Sequence, residues 1–169
     1  YQHLNEETVV VRYRKIKAKG KEQYQIVLQK TPFYAESGGQ IGDTGVLIFG
    51  EEIIEVTDTK KENNVTIHFT NKLPTNIESK VVAKVDWARR EAITYNHTAT
   101  HLMHAALREV LGTHVAQKGS MVAPDVLRFD FSHFSKMTDE EVVKVEDIVN
   151  DKIRANIPVV IKEMPKDEA

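Results

Sequence analysis

The hydrophobic periodicity of the chain changes once, at Asp86, and this change constrains the fold more than any other feature of the sequence. Before Asp86, short runs alternate apolar and polar residues, which is the pattern of half-buried β-strands. After Asp86, apolar residues recur at helical spacing, with short strands between the helical stretches. The sequence therefore predicts an α+β fold, with a small antiparallel β-barrel over residues 1–85 and an α+β unit over residues 86–169.

Short strands separated by turn sequences account for most of the first part. The first two strands, at 8–16 and 23–29, flank Lys19-Gly20-Lys21, and this arrangement predicts a hairpin. Lysines crowd the hairpin tip; we interpret them as a solvated end, with a phosphate contact as the alternative. The other predicted strands are 46–49, 53–57, 65–70 and 80–85.

The second part opens with a long helix, which is predicted from Trp87 to Leu111. Asp86 is a suitable N-cap for this helix, and Gly112 can close its C-terminus. Thr138 and Glu141 have the spacing of a capping box, which predicts the start of a second helix. The remaining predicted boundaries are strands at 114–122, 127–132 and 157–162 and an end of the second helix at about 156.

Two histidines, His97 and His101, lie four residues apart within the predicted long helix. Side chains at that spacing lie on one helix face, so the two imidazoles can bind one divalent metal ion. Packed or exposed histidines show the same spacing, so the pair alone leaves both interpretations open. A zincin-type peptidase is disfavoured, because the position of its general-base Glu holds Thr98. Zinc sites take three or four protein ligands, so two histidines predict weak zinc binding or none.

Composition excludes several classes of function. The chain has no cysteine, so disulfides, a thiolate nucleophile and cysteine ligands for zinc are excluded within it. Its formal net charge is −2, so nucleic-acid binding requires a local basic patch. No apolar run approaches the about 20 residues that span a bilayer, and no signal-peptide pattern is seen. We therefore expect a cytoplasmic protein with no membrane partner.

A glycine-rich segment separates the first predicted hairpin from the later strands. Four glycines fall within residues 38–45. Glycine permits positive φ and close approach of another backbone or a ligand. The segment lacks the Lys-Ser/Thr of a P-loop and the spacing of a dinucleotide-binding loop. Composition alone therefore indicates an architectural loop.

The glycine loop and the histidine pair, taken in order with two later segments, resemble the editing region of the alanyl-tRNA synthetase family. The loop resembles the glycine motif of that family through residues 36–40 and Asp43-Thr44-Gly45. Asn96-His97-Thr98-Ala99-Thr100-His101 resembles the first half of its zinc site. Residues 111–120 and 127–133 match further family segments.

This resemblance implies an editing fold of the threonyl/alanyl-tRNA synthetase type, truncated at its C-terminus. It implies that the chain is part of an alanine–tRNA ligase and hydrolyses tRNA(Ala) mischarged with serine or glycine. Such a site is needed because an alanine pocket rejects glycine and serine poorly. The other domains of the synthetase would be partners, and ATP and magnesium would serve only its aminoacylation domain.

The resemblance also implies site residues. His97 and His101 carry over as zinc ligands, whereas the family completes the site with a later Cys-x-x-x-His pair that lies beyond this chain. Gln117 carries over as a catalytic, substrate-binding residue; without the resemblance it would be interpreted as an ordinary polar strand residue. The remaining implied substrate-binding residues are Gly38, Gly39 and Gln40.

Two alternatives remain open at the level of sequence. One is a free-standing alanyl-tRNA editing deacylase, although the abrupt end at residues 164–169 favours an excised piece. The other is a tRNA-binding module without chemistry, and the missing ligands predict that this fragment is inactive by itself. The sequence also leaves open the docking surface of the tRNA and the role of the metal, which could activate water or orient the substrate.

Overall fold

The computed structural model describes residues 3–18, 20–160 and 164–165 and shows an α+β fold, as predicted. The strands up to residue 85 form one antiparallel sheet, and the two later strands form a second, smaller one. The elements in chain order are β1 (Asn5–Thr8), β2 (Val10–Ala18), β3 (Lys21–Leu28), β4 (Gly45–Phe49), β5 (Glu52–Glu62), β6 (Val65–Thr70), β7 (Val81–Val85), α1 (Trp87–Leu111), β8 (Ala116–Val122), β9 (Leu127–Ser132) and α2 (Asp139–Arg154).

The larger sheet is curled, with strand order β1-β7-β4-β5-β6-β3-β2. Its two edge strands are consecutive in sequence, with only Val9 between them. The backbone carbonyl of Val9 accepts a hydrogen bond from the Gln29 amide at 3.0 Å, and the Thr8 hydroxyl accepts one from the Lys30 amide at 3.0 Å. Among the described residues, β1 and β2 do not pair with each other. The predicted barrel is therefore a curled half-barrel, open between these edges.

An apolar core fills the curl of this sheet. Side chains of alternate residues along each strand point to it, as period-two patterning predicts. Its fully or almost fully buried members are Ile26, Leu28, Phe33, Leu47, Phe49, Ile54, Val56, Val81, Ala83 and Val85.

Both helices begin as their capping sequences predict. The side chain of Asp86 accepts a hydrogen bond from the Arg89 amide, and the reciprocal bonds of the Thr138–Glu141 capping box are both present. The helices pack on each other and on the smaller sheet through a second core, which includes Ala106, Leu107, Val115 and Val145. No helix among the described residues is long and apolar enough to span a membrane.

Three strand predictions differ from the structure. The first predicted strand is divided at Val9, and β1 was not predicted. The hairpin of β5 and β6 is longer than predicted, because the polar residues of β5 up to Glu62 pair with β6. In the turn between the two strands, Asn63 and Asn64 both have positive φ. The prediction of a strand at 157–162 is wrong over 157–160, where the chain is exposed and pairs with no other described strand. Residues 161 and 162 of this prediction, and Lys19 of the first hairpin turn, lie outside the described residues.

Candidate functional site

The glycine loop lies against β8 of the smaller sheet. The carbonyl of Gly39 accepts a hydrogen bond from the Val122 amide at 2.8 Å, and the Ile41 amide donates to the Val122 carbonyl at 3.1 Å. Gly39 has a φ of +84°, and a Cβ atom there would lie 2.5 Å from the carbonyl oxygen of Ser120. Only glycine combines this conformation with this approach, so the loop needs Gly39 to reach the strand.

Gln117 is connected to the same loop through Ser120. Its side-chain amide donates to the Ser120 hydroxyl at 3.2 Å, and that hydroxyl donates to the Gly38 carbonyl at 3.4 Å. Residues three apart on a regular strand face opposite sides of the sheet. The pairing of β8 with β9 shifts register between Gln117 and Gly119, which changes this relation. Ser120 was not among the predicted site residues, because the sequence pattern of β8 does not reveal this bulge.

Helix α1 is attached to the glycine loop by a buried ion pair. Arg90 and Asp43 are 2% and 1% exposed, and Arg90 Nε donates to Asp43 Oδ1 at 2.8 Å. A second guanidinium nitrogen donates to the other carboxylate oxygen and to the Pro32 carbonyl. Further along α1, the side-chain amide of Asn96 donates to the carbonyl of Ala123 at 2.7 Å. These contacts fix the helix surface that carries the histidines.

His97 is hydrogen-bonded to the fully buried side chain of Gln40. The distance from His97 Nδ1 to Gln40 Oε1 is 2.7 Å. Because an amide oxygen only accepts, Nδ1 carries the proton, and the lone pair is on Nε2. Partial burial lowers the pKa of His97, and the neighbouring charge of His101 lowers it further. Both effects favour the neutral imidazole, which is the form that binds metal ions.

The rings of His97 and His101 are stacked, with centroids 5.1 Å apart and planes 25° apart. The structure thus brings the two predicted ligands together, and the tautomer set by Gln40 suits a metal ligand. It does not add a third one: the described residues contain no group of three or more His, Asp or Glu side chains that could hold a metal ion. Three other histidines of the second part have contacts of their own: His114 and His133 bond to each other, and His104 lies beside Phe129.

The predicted site residues therefore meet where the glycine loop, β8 and α1 join. Gly38, Gly39 and Gln117 lie around Ser120, and Gln40 joins the loop to His97. Chemically, this junction offers imidazole nitrogens for a metal, together with an amide, a hydroxyl and main-chain groups for hydrogen bonds to a substrate. Gln40 lies behind His97 and is fully buried, and no local sequence pattern indicates this contact between residues 57 positions apart.

Comparison with known proteins finds the same family along most of the chain. The family model described as tRNA synthetases class II (A) matches residues 1–89. An alanine–tRNA ligase from Bacteroides fragilis is 62% identical over 159 residues, which cover 94% of this chain and 18% of that protein. Alanine–tRNA ligases from Cytophaga hutchinsonii and Porphyromonas gingivalis are 58% and 54% identical over 93% and 92% of the chain. The chain thus spans about a fifth of the length of these relatives.

Proposed function

The chain belongs to the class II (A) family of tRNA synthetases, and from this premise we propose that it is part of the editing region of an alanine–tRNA ligase. In this proposal, the region hydrolyses the ester bond of tRNA(Ala) mischarged with serine or glycine. The single observation that carries the proposal is the junction at which the glycine loop, Gln117 and the His97–His101 pair meet. ATP and magnesium would serve aminoacylation elsewhere in the parent ligase.

The substrate ester would lie against the loop and β8. Gln117 is exposed on β8, and its amide can donate to and accept from the ester or the serine hydroxyl. An amide carries no proton away near neutral pH, so Gln117 would position the substrate and leave proton transfer to another group. Gly38 would let the substrate approach the loop closely, because a Cβ atom there would meet nothing within 4 Å, whereas Gly39 is covered by Ser120.

Zinc would bind His97 and His101, with its remaining ligands from outside this chain. When bound, zinc lowers the pKa of a water ligand or orients the substrate by coordination. Gln40 would hold the ring of His97 with Nε2 available to the metal, as hydrogen-bonded partners of metal-binding histidines generally do. Two ligands alone hold zinc poorly, so we expect this chain in isolation to bind tRNA without hydrolysing the ester.

The test is deacylation of seryl-tRNA(Ala) by the parent ligase, with zinc content measured in parallel. We expect His97→Ala to lose both zinc and deacylation, and Gln117→Ala to weaken deacylation with zinc retained. Gln23→Ala, which removes a glutamine from β3, is the matched control, and aminoacylation with alanine reports an intact parent. Full deacylation by a metal-free His97→Ala, His101→Ala double variant would contradict the role proposed for zinc.

The same measurements test the role of Gln40. Gln40→Leu removes the hydrogen-bond acceptor for His97 Nδ1, and loss of such a partner typically weakens metal binding by about 10- to 100-fold. Gln40→Glu keeps an acceptor at this position and should retain much more of the affinity for zinc. Equal zinc affinity in the Leu variant and the unchanged parent would show that Gln40 does not position His97.

A further inference from the structure

Phe134 is the most exposed large hydrophobic side chain that the structure describes, at 88%. It follows the end of β9, at a distance in sequence from the residues of the proposed editing site. A single exposed apolar residue is ordinary on a protein surface and needs no explanation by itself. The neighbours of Phe134 distinguish it from such a residue.

A pair of histidines, His114 and His133, lies against the Phe134 ring. The centroid of the His114 ring is 4.5 Å away, and its plane is tilted by 25°. His114 Nε2 is in turn hydrogen-bonded to His133 Nδ1 at 2.9 Å, with the two planes 22° apart. A bond between ring nitrogens lies in the plane of both rings, so the imidazoles are arranged edge to edge. They form a nearly flat, hydrogen-bonded pair, and Phe134 covers one of its members.

The backbone holds this pair in place before any ligand binds. Gly112, which ends α1, has a φ of +114°, and a Cβ atom there would lie 3.0 Å from His114 Nδ1. Val115, the next residue after His114, is fully buried, and its carbonyl accepts a hydrogen bond from Arg108 at 3.0 Å. His133 directly follows β9. The platform of Phe134, His114 and His133 therefore has a rigid base and one outward aromatic face.

We propose that this platform stacks an unpaired nucleobase of the bound tRNA. This proposal rests on the proposed function, which supplies tRNA as the nucleic acid that binds. Aromatic rings are the usual stacking partners of unpaired bases, and stacking accepts any base. The two segments that build the platform, residues 111–120 and 131–137, contain Lys118 and Lys136, and the second is flanked by Asp130 and by the acidic first turn of α2. An exposed aromatic ring with polar neighbours in the chain, and with Lys136 two residues away, suits a base with its phosphate better than an apolar protein surface, which needs a wider patch.

The test measures the Kd of the parent ligase for tRNA(Ala) over a range of salt concentrations. Phe134→Ala should weaken binding by roughly 5- to 150-fold, the equivalent of the 1–3 kcal/mol measured for one stacked base, and should leave the salt dependence unchanged because no phosphate contact is lost. Phe134→Trp should bind tRNA(Ala) with a Kd close to that of the unchanged parent, because Trp also stacks on a base. Lys136→Ala should instead reduce the salt dependence. Tyr95→Ala, which removes an aromatic side chain that is 65% exposed on α1, is the matched control.

Unchanged affinity in Phe134→Ala, or an equal loss in Tyr95→Ala, would overturn the proposal. Failure of Phe134→Trp to restore affinity would also overturn it, because a stacking site accepts any large aromatic ring. Deacylation of seryl-tRNA(Ala) by the unchanged parent separates the two proposals. Normal deacylation without a Phe134 effect on binding rejects only the stacking site, whereas a Phe134 effect in a parent without deacylation rejects only the editing function.

Discussion

At the scale of single residues, His68 shows how a histidine is kept neutral inside the larger sheet. Its ring is fully buried on β6, with Nδ1 donating to the Ile26 carbonyl at 3.0 Å and Nε2 2.7 Å from the Thr31 hydroxyl. The rings of Phe33 and His68 form a T-shaped contact, with their centroids 5.1 Å apart. Burial lowers the pKa of His68 from 6.5 to about 4, although the bond to Ile26 opposes this effect. His68 thereby fixes the segment that leads into the glycine loop.

This lowered pKa makes stability depend on pH. Between pH 6.5 and about 4 the unfolded His68 binds a proton and the folded one does not, so the free energy of unfolding falls as the pH falls through this window. The contribution of His68 to this fall should reach roughly 3 kcal/mol by pH 4. Urea unfolding at pH 7 and pH 4.5 should show a smaller pH effect for His68→Gln than for the unchanged chain. His3→Gln, at an exposed position before β1, is the control, and an identical pH effect in all three proteins would contradict the prediction.

At the scale of elements, the glycine loop and β8 depend on each other through Gly39. Gly38 and Gly39 both have positive φ, at +60° and +84°, but a Cβ atom at Gly38 would meet nothing within 4 Å. Gly38→Ala should therefore cost only the left-handed conformation, about 1–2 kcal/mol. Gly39→Ala should cost clearly more, because the methyl group also meets the main chain of Ser120. Urea midpoints of the two variants test this difference, and equal midpoints would mean that the loop can move away from β8 at no cost.

Elements with a local signal were predicted well, and those that depend on a distant partner were not. The Asp86 cap and the Thr138–Glu141 capping box lie within a few residues of the helices they start, so the sequence shows them directly. The segment 157–160 has the apolar, β-branched pattern of a strand, but no other described segment pairs with it. In the same way, pairing with β6 is what makes the polar residues near Glu62 a strand.

At the scale of the whole molecule, the periodicity change at Asp86 predicted the fold class, but it did not predict how the two parts are joined. The division into residues 1–85 and 86–169 stays a prediction. The structure places three kinds of contact across it: the Arg90–Asp43 ion pair, the His97–Gln40 bond and the backbone bonds around Val122. All join residues more than 40 positions apart, and no local pattern encodes such pairs. The sequence therefore supplied the candidate residues of the site through the family resemblance, and the structure supplied the contacts between them.

The Arg90–Asp43 pair tests whether the two parts unfold together. Removing one partner of a buried ion pair leaves the other charged and desolvated, so Arg90→Met should lower the free energy of unfolding by about 3–5 kcal/mol. Replacing both partners, as Arg90→Met with Asp43→Leu, should recover most of that loss. The only tryptophan, Trp87, lies at the start of α1 and reports on this region, while far-UV circular dichroism reports on the whole chain.

We expect the two signals to change together during urea unfolding of the unchanged chain and to separate in Arg90→Met, because the loop then no longer holds α1 to the larger sheet. Arg154→Met is the matched control, since Arg154 pairs with Asp151 at the surface, where both side chains are mostly exposed and the bond adds little. If Arg90→Met costs no more than Arg154→Met, the ion pair does not join the two parts. The bonds from Gln40 to His97 and from the loop to Val122 would then have to hold the candidate site together without it.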